Sequence, residues 1–335
     1  MKFRSVIVVT FILTMTIGSL IAQKIQVIET NKPVSIRGLC VVNNKVAWLS
    51  SSSGYTAITH DGGHTWKWQQ VKGFEKADFR DIEAFSDKEA IIMSSGTPAL
   101  ILKTIDGGTN WQVNYRNDDK AYFLDAMDFS NKKHGLILGD PIDKKFLLLE
   151  TNDGGESWHK FTNLPDPEDG EAAFAASGTC LRISYSGDFI SIVTGGTVAR
   201  HLVLEKPFKK WDYYDLPVTH GKESNGAFSV SDGGLVIVGG NYSKDKYTDS
   251  VSCYFSGHPP YVESRNGPAG YQSSVELIKA QTFLSTGTSG SNISTDNGRT
   301  WTQIDTTSFN VCRKAKKGNV VLLAGDKGKI GIFTM

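Results

Sequence analysis

The stretch "THDGGHTW", residues 59–66, sets an aspartate between two histidines and follows it with two glycines and a tryptophan. Read alone it fits a catalytic loop, a metal site or a turn. The chain decides, because the stretch returns as "TIDGGTNW" (104–111), "TNDGGESW" (151–158) and "STDNGRTW" (294–301). Each copy has a hydroxyl residue two before the aspartate, a glycine two after it and a tryptophan five after it. The sets are Asp61, Gly63 and Trp66; Asp106, Gly108 and Trp111; Asp153, Gly155 and Trp158; and Asp296, Gly298 and Trp301. The aspartates are 45, 47 and 143 residues apart, and the last interval has room for two decayed copies. One of these is "EKPFKKW", which keeps Trp211; the other lies near "CYFSGHPPY" and has lost its tryptophan. An active site needs one geometry in one place, whereas copies at a fixed period count structural units. The residues suit a hairpin turn: the carboxylate accepts backbone N–H bonds, the glycine permits positive φ, and the tryptophan wedges into the core between units.

Other runs repeat in step. Each unit opens with a short β-like run ("IRGLCVV", "FRDIEAF", "FLDAMDF", "CLRISYS", "GAFSVS", "SSVELI", "NVCRKA"). Two more apolar runs follow, and a fourth strand begins at or after each tryptophan. Such runs, bounded by Gly, Ser, Asn and Asp, are strands and turns. Seven units result, and the seventh ends at Met335 without a fourth strand. "KIQVIET" (24–30) is a strand without a unit, so it is expected to complete the seventh. Four-stranded units of this period are propeller blades, and closure removes exposed sheet edges. The expected fold is all-β: one seven-bladed β-propeller over residues 23–335.

Residues 1–22 read as a secretory signal. Lys2 and Arg4 precede an apolar stretch from Ser5 to Ile21, with cleavage expected after Ala22 although Leu20 is bulky for that position. An uncleaved anchor is the alternative. No later apolar run is long enough to span a bilayer, so the mature chain is expected to be soluble, exported to the periplasm or beyond, and monomeric. A formal charge of +1 gives no reason to expect nucleic-acid binding. Cys40, Cys180, Cys253 and Cys312 lie in separate stretches without a CxxC pair. They read as buried free thiols, with a Cys40–Cys312 bridge as the alternative.

The recurrent stretch matches the Asp-box, or BNR, motif S/T-x-D-x-G-x-S/T-W, with Asn110 the one departure. Propellers with such boxes include sialidases, some endoglucanases, sortilin-type receptors and the photosystem II stability/assembly factors. "IRGLCVVNNKVAWLSSSSG", "DFRDIEAF", "LDAMDF", "ILGDPID", "GKESNGA" and "VCRKAKKGN" make the whole mature chain resemble the last group and its non-photosynthetic bacterial relatives. That resemblance implies a scaffold-like protein without catalysis, which binds a protein or acidic peptide. Its fifth box departs from the pattern, and nothing here indicates a photosynthetic context. A glycan-active or glycan-binding envelope protein is the alternative.

In a propeller the first strands line a central channel, and the boxes sit on one rim. The opposite rim is expected to carry Arg37, Arg80, Asp81, Asp125, Arg182, Glu223 and Arg313, near the starts of inner strands. Arg37, Arg80 and Arg313 fall in neighbouring blades, and clustered guanidinium groups grip a carboxylate, a phosphate or an acidic peptide. The resemblance implies such an arginine patch, with Arg37 and Arg80 in the matching stretches. The competing reading pairs these arginines with Asp81, Asp125 or Glu223 to hold the channel together. For a sialidase, Tyr271 with Glu223 is the nearest approach to a nucleophile pair, but the "RIP" signature is absent. Hydrolase, metalloprotease and nucleotide-binding motifs are also missing, so no cofactor and no metal is expected. His60 and His64 lie in a turn, and "DPEDGE" (166–171) reads as a solvated loop rather than a Ca²⁺ site.

Overall fold

Valine, isoleucine and leucine runs broken every few residues by turn formers build short strands rather than helices. The computed structural model describes residues 24–184, 186–258 and 260–335; the expected signal segment 1–22 lies outside them. Among the described residues there are thirty strands and two short 3₁₀ turns, and no α-helix.

The strands sort into seven sheets. The first contains Ile36–Val41, Ala47–Ser51, Tyr55–Thr59 and Lys67–Gln70. The second contains Phe79–Ala84, Ala90–Ser94, Ala99–Thr104 and Gln112–Asn117, and the third Leu124–Phe129, Gly135–Ile142, Lys145–Thr151 and His159–Lys160. Leu181–Ile183, Phe189–Val193, Arg200–Glu205 and Trp211–Asp215 form the fourth. The fifth is built on Lys222–Val230, Val236–Asn241, Ser252–Phe255 and Tyr261–Glu263, and the sixth on Ser274–Lys279, Thr282–Gly287, Gly290–Ser294 and Thr302–Asp305. The seventh joins Val311–Lys314, Val321–Ala324 and Lys329–Thr334 to the N-terminal strand Lys24–Glu29. That strand runs antiparallel to the last, with Ile25 opposite Phe333 and Ile28 opposite Ile330.

The first strand of each sheet packs on the first strand of the next in chain order, and Val311–Lys314 packs on Ile36–Val41. The two middle strands are the most buried; Ala90–Ser94 and Ala99–Thr104 are buried throughout, whereas the fourth strands are half-exposed. Apolar clusters lie between neighbouring sheets. Trp48 and Ile58 of the first sheet, for example, share a cluster with Phe79, Ile82 and Ile92 of the second. All four cysteines are buried free thiols.

The recurrent turns share one construction. In the first, the Thr59 hydroxyl donates to Asp61 Oδ1 (2.7 Å) and accepts from the Gly63 N–H (3.1 Å). Asp61 in turn accepts from the Thr65 N–H (2.9 Å) and hydroxyl (2.6 Å). Asn110, the departure from the motif, bonds Asp106 through its N–H and its side-chain amide, at 2.9 and 2.8 Å. The glycine two after each aspartate lies against the preceding sheet: Gly108 has φ +79°, and a Cβ there would fall 3.2 Å from Trp48. These bonds favour the ionised carboxylate. The Ser157 hydroxyl, its N–H and the Thr151 hydroxyl hold the Asp153 pKa down to about 2. A depressed pKa stabilises the fold above the ordinary aspartate value of about 4 and ceases to do so as pH falls to about 2. Asp153→Asn is therefore expected to lower stability at pH 7 and to flatten the acid limb between pH 4 and 2, read from urea midpoints across that range.

The tryptophans of these turns, expected to wedge into the core between units, pack into the clusters between sheets, but to different depths. Trp66 and Trp111 are only half-buried, while Trp158 and Trp301 are buried. Each ring reaches a residue of the preceding sheet's cluster: Trp66 packs with Leu322, Trp158 with Ile91 and Trp301 with Val236, and Trp111 stands edge-on to Trp48 at 6.4 Å. Each tryptophan stands immediately before the fourth strand, the outermost of its sheet. The four are also not equivalent in bonding. Trp66 Nε1 donates to the carbonyl of its own Gly63 at 2.9 Å, whereas Nε1 of Trp111, Trp158 and Trp301 is buried without a partner.

One further feature was not read from the sequence. The fifth sheet gains two short strands, Gly195–Gly196 and Glu171–Ala172, from the segment between the third and fifth sheets. "DPEDGE" is therefore not simply solvated. Glu171 is buried and ion-pairs with Arg200, whose Nε donates to Glu171 Oε1 at 3.0 Å. Residues 173–179 continue from it as a strap across the starts of the inner strands.

Candidate functional site

The strap meets several of the residues expected on the arginine rim. Arg80 is held by Asp78 (Nε to Oδ2, 2.7 Å) and donates to the Ala175 carbonyl at 3.3 Å. Arg313 donates to the carbonyls of Leu39 (3.3 Å) and Ser177 (3.5 Å), and its Nη1 is buried without a partner. Asp81 is buried and accepts from the N–H groups of Ile82 and Met127, both at 2.8 Å. Gly178 lies against this carboxylate with φ +69°; a Cβ there would come within 2.1 Å of Oδ2, so a side chain is excluded. Phe174 stacks on Phe228, ring centroids 3.9 Å apart, and anchors the start of the strap.

The remaining rim residues divide. Asp125 is buried, and neither carboxylate oxygen has a partner in hydrogen-bond geometry. Burial and the Asp140 carboxylate push its pKa well above the ordinary value, opposed by Arg80. Arg37 is half-buried, lies close to Asp326 and Tyr271, and makes no hydrogen bond among the described residues. Glu223 is exposed near the start of its strand. Tyr271 is buried edge-on to Phe228 at 4.8 Å and is not hydrogen-bonded to Glu223, so the pair considered for sialidase chemistry is not assembled. Arg182 points elsewhere: its Nη2 meets Glu276 Oε2 at 2.9 Å and its Nε meets the Val230 carbonyl at 3.2 Å. Arg80 and Arg313 thus hydrogen-bond the strap's backbone, and Arg80 and Arg182 ion-pair with Asp78 and Glu276; Arg313 and Arg80 act on the buried Asp81 and Asp125 carboxylates through their charge, without hydrogen bonds to them.

Asp140 ties the strap to pH. Burial raises its pKa to about 6 against the Ala173 N–H, which favours the ionised form. A raised carboxyl pKa contributes stability that is full below about pH 4 and lost as pH rises through the folded value near 6. Amides of residues 173–179 are expected to lose protection between pH 4 and 7, after correction for intrinsic exchange rates. Asp140→Asn is expected to flatten that dependence.

The larger opening lies on the other side. A cavity of about 780 Å³ is bordered by the turns between first and second strands, including Asn43, Ser86, Asn131 and Lys317. These turns bond the recurrent turns of their own sheets: the N–H groups of Gly62, Gly107 and Gly154 donate to the carbonyls of Lys45, Lys88 and Lys133. The open chamber is therefore on the same side as Asp61, whereas the arginine rim expected to bind a partner is on the opposite side. Its wall carries two ion pairs, Arg182 with Glu276 and Lys316 with Glu83. Between them Asp128 accepts from the Ile183 N–H at 2.6 Å, and burial raises its pKa to about 6 against the pull of Arg182. Charges of both signs, held by their neighbours, suit a polar chain end or backbone better than a single anion. Sequence reasoning missed Glu83, Asp128, Glu276 and Lys316. A signal was present, since Glu83 and Asp128 are 45 residues apart, the period of the first two boxes.

Comparison with known proteins places this geometry among propellers. Residues 20–118 match the family profile described as photosynthesis system II assembly factor YCF48. The photosystem II assembly lipoprotein Ycf48 of Synechococcus sp. (strain CC9902) is 28% identical over 149 residues, which is 43% of this chain and 39% of the relative's length. The structure of YCF48 bound to D1 peptide superposes with a TM-score of 0.65 at 13% identity, covering 93% of this chain and 95% of that one. YCF48 from Cyanidioschyzon merolae gives a TM-score of 0.62 at 12% identity, covering 92% and 98%. The Dos1 propeller gives 0.56 at 13% identity, covering 89% and 77%. The resemblance to Ycf48-like propellers read from the blade signatures is borne out, and the fold is an all-β propeller.

Proposed function

We propose that this is an exported, non-catalytic scaffold propeller that holds a segment of a partner protein in the chamber on the Asp-box side. The open, charge-lined chamber carries this reading. Its pairs, Arg182–Glu276 and Lys316–Glu83, are fixed before a ligand arrives, so binding a peptide orders few protein side chains. The relative whose structure contains a D1 peptide supports a peptide as the ligand class. We further read the seven sheets as seven blades of one domain, residues 23–335, closed by Lys24–Glu29. The pairing of that strand with Lys329–Thr334 supports closure. The four recurrent turns are structural Asp-boxes, and residues 1–22 direct export to the periplasm or beyond as a monomer.

The opposite rim also carries arginines, among them Arg37, which makes no hydrogen bond among the described residues, so the two surfaces need separating. Capture of partners from an envelope fraction should compare the wild-type chain with Lys132→Glu/Lys317→Glu at the chamber mouth and with Arg37→Ala/Arg80→Ala on the strap side. Partner recovery is expected to fall about tenfold for the first variant, as for loss of charge complementarity worth about 1.4 kcal/mol, and to change little for the second. The reverse pattern would move the site to the arginine rim.

A further inference from the structure

The recurrent turns do more than shape hairpins, and the fifth sheet, whose turn has lost both aspartate and tryptophan, shows it. Gly63 lies on Leu322, Gly108 on Trp48, Gly155 on Ile91 and Gly298 on Val236, each in the preceding sheet. A complete turn thereby covers the cleft to its neighbour. In the fifth sheet the turn after Ser252–Phe255 has lost both aspartate and tryptophan, and the cleft to the fourth sheet stays open as a groove of about 300 Å³. Phe189, Leu235 and Phe255 stand exposed along it, at 41, 41 and 50%.

The groove floor has a defined chemistry. Tyr261 OH lies 2.9 Å from the Gly234 carbonyl and 2.7 Å from His201 Nδ1. The hydroxyl has one proton, and a carbonyl only accepts, so Tyr261 donates to Gly234 and accepts from Nδ1–H. That fixes the tautomer and leaves His201 Nε2 as a bare acceptor. This atom is buried without a partner, on a residue 3% exposed. Burial lowers the His201 pKa to about 3, so the ring is neutral at physiological pH. Tyr214 and Tyr261 stand beside it, with ring centroids 6.4 and 5.5 Å away, and Phe255 lies edge-on to Tyr261 at 5.8 Å. Two carboxylates share the fourth-sheet face with His201. Glu205 pairs in register with Phe189, Asp212 pairs with Val203, and both side chains line the groove. Neither makes an ion pair among the described residues. Arg182 closes the inner end, its charge already met by Glu276.

A bare acceptor, aromatic faces and two unpaired carboxylates call for a flat cation rich in donors. We propose that the groove between the fourth and fifth sheets is a subsite for an arginine side chain of a partner peptide. A guanidinium stacks on the aromatic faces, donates to His201 Nε2 and faces Glu205 and Asp212. A lysine ammonium lacks the plane and is more strongly hydrated. The subsite adds to the chamber reading but is tested apart from it, because the readout is His201 and not any chamber residue.

The test titrates the full mature chain with N-acetyl-arginine amide while following the His201 Nε2 resonance by ¹⁵N NMR, with N-acetyl-lysine amide and N-acetyl-leucine amide as controls. The arginine probe is expected to move the Nε2 signal saturably, and the lysine probe to bind at least about 5-fold more weakly. Glu205→Gln/Asp212→Asn, both at exposed positions, is expected to weaken arginine binding about 5- to 10-fold, the range for two exposed charge contacts. An absent shift, an equal shift with the leucine or lysine probe, or unchanged affinity in the double variant would each overturn the assignment.

Discussion

A chain that starts at Thr30 instead of Gln23 is expected to be less stable by about 4 kcal/mol or more, with a correspondingly lower urea midpoint. The lost strand contributes one deep anchor and a six-residue ladder. Ile25 is 6% exposed and packs in the cluster of Phe309, Leu323 and Phe333. Removing a buried isoleucine costs about 2–5 kcal/mol where the site cannot collapse, and Gly331 beneath it has no side chain to fill the gap. The rest of the strand is largely exposed, so its contribution comes mainly from backbone bonds to Lys329–Thr334 at about 1 kcal/mol each. Truncation also leaves Lys329–Thr334 as a bare edge, which promotes pairing between copies. Concentration-dependent association in sedimentation should accompany the lower midpoint. The peptide KIQVIET, added in trans at high concentration, should restore part of the midpoint by mass action. Equal midpoints for the two chains would contradict closure by this strand.

Arg200→Met is expected to cost about 3–5 kcal/mol, the range for leaving one partner of a buried ion pair uncompensated. Arg200 is 7% exposed and Glu171 4%. The guanidinium grips the carboxylate with two nitrogens, reaches the Asp166 carbonyl at 2.9 Å and lies 4.8 Å over the Tyr213 ring. The Thr194 hydroxyl also donates to Glu171. Without Arg200 the carboxylate keeps one hydroxyl bond and the Glu168 N–H (2.7 Å), too little to offset desolvation of a full charge. The loss should fall first on the strap, because Glu171–Ala172 leads directly into residues 173–179. Hydrogen exchange is expected to accelerate there at denaturant concentrations where the first three sheets remain protected. Adding Glu171→Leu should recover much of the stability, since an apolar pair removes the uncompensated charge. If the double variant is no more stable than Arg200→Met, the ion pair is not the cause.

The sequence carried the periodic part of this molecule and little else. A turn of fixed composition at intervals of about 45 residues locates the strands because each unit must bury the same faces against its neighbours. The third and fourth strands of the first four sheets and the sixth follow from it, even where the box has decayed to "EKPFKKW". Periodicity does not give depth: Trp66 and Trp301 hold the same place in their boxes, yet one is half-buried and the other buried, because the neighbouring sheet differs. The strap escaped notice because nothing in residues 165–180 repeats. Its lead-in, Glu171–Ala172, joins a sheet to which its unit does not belong, and its side-chain contacts join residues about 50 to 140 apart in the chain. For the same reason Arg80 and Arg313 read as a free patch: the strap meets them through its backbone carbonyls, which leave no mark on residue type. Lys316 lies in a basic stretch that suggests a solvated turn, yet it is paired with Glu83 across the inner strands. The groove between the fourth and fifth sheets had a signal in the missing box at 256–260, but only the fold shows that a lost box opens a cleft.

The most direct test of the central claim is site-specific photo-cross-linking in the native envelope. A cross-linking amino acid is placed at Lys317, on the chamber mouth, and separately at Lys76, near the strap-side rim. A discrete adduct with a partner protein is expected from position 317 and none from position 76. An adduct from position 76 with none from position 317 would contradict binding on the Asp-box side.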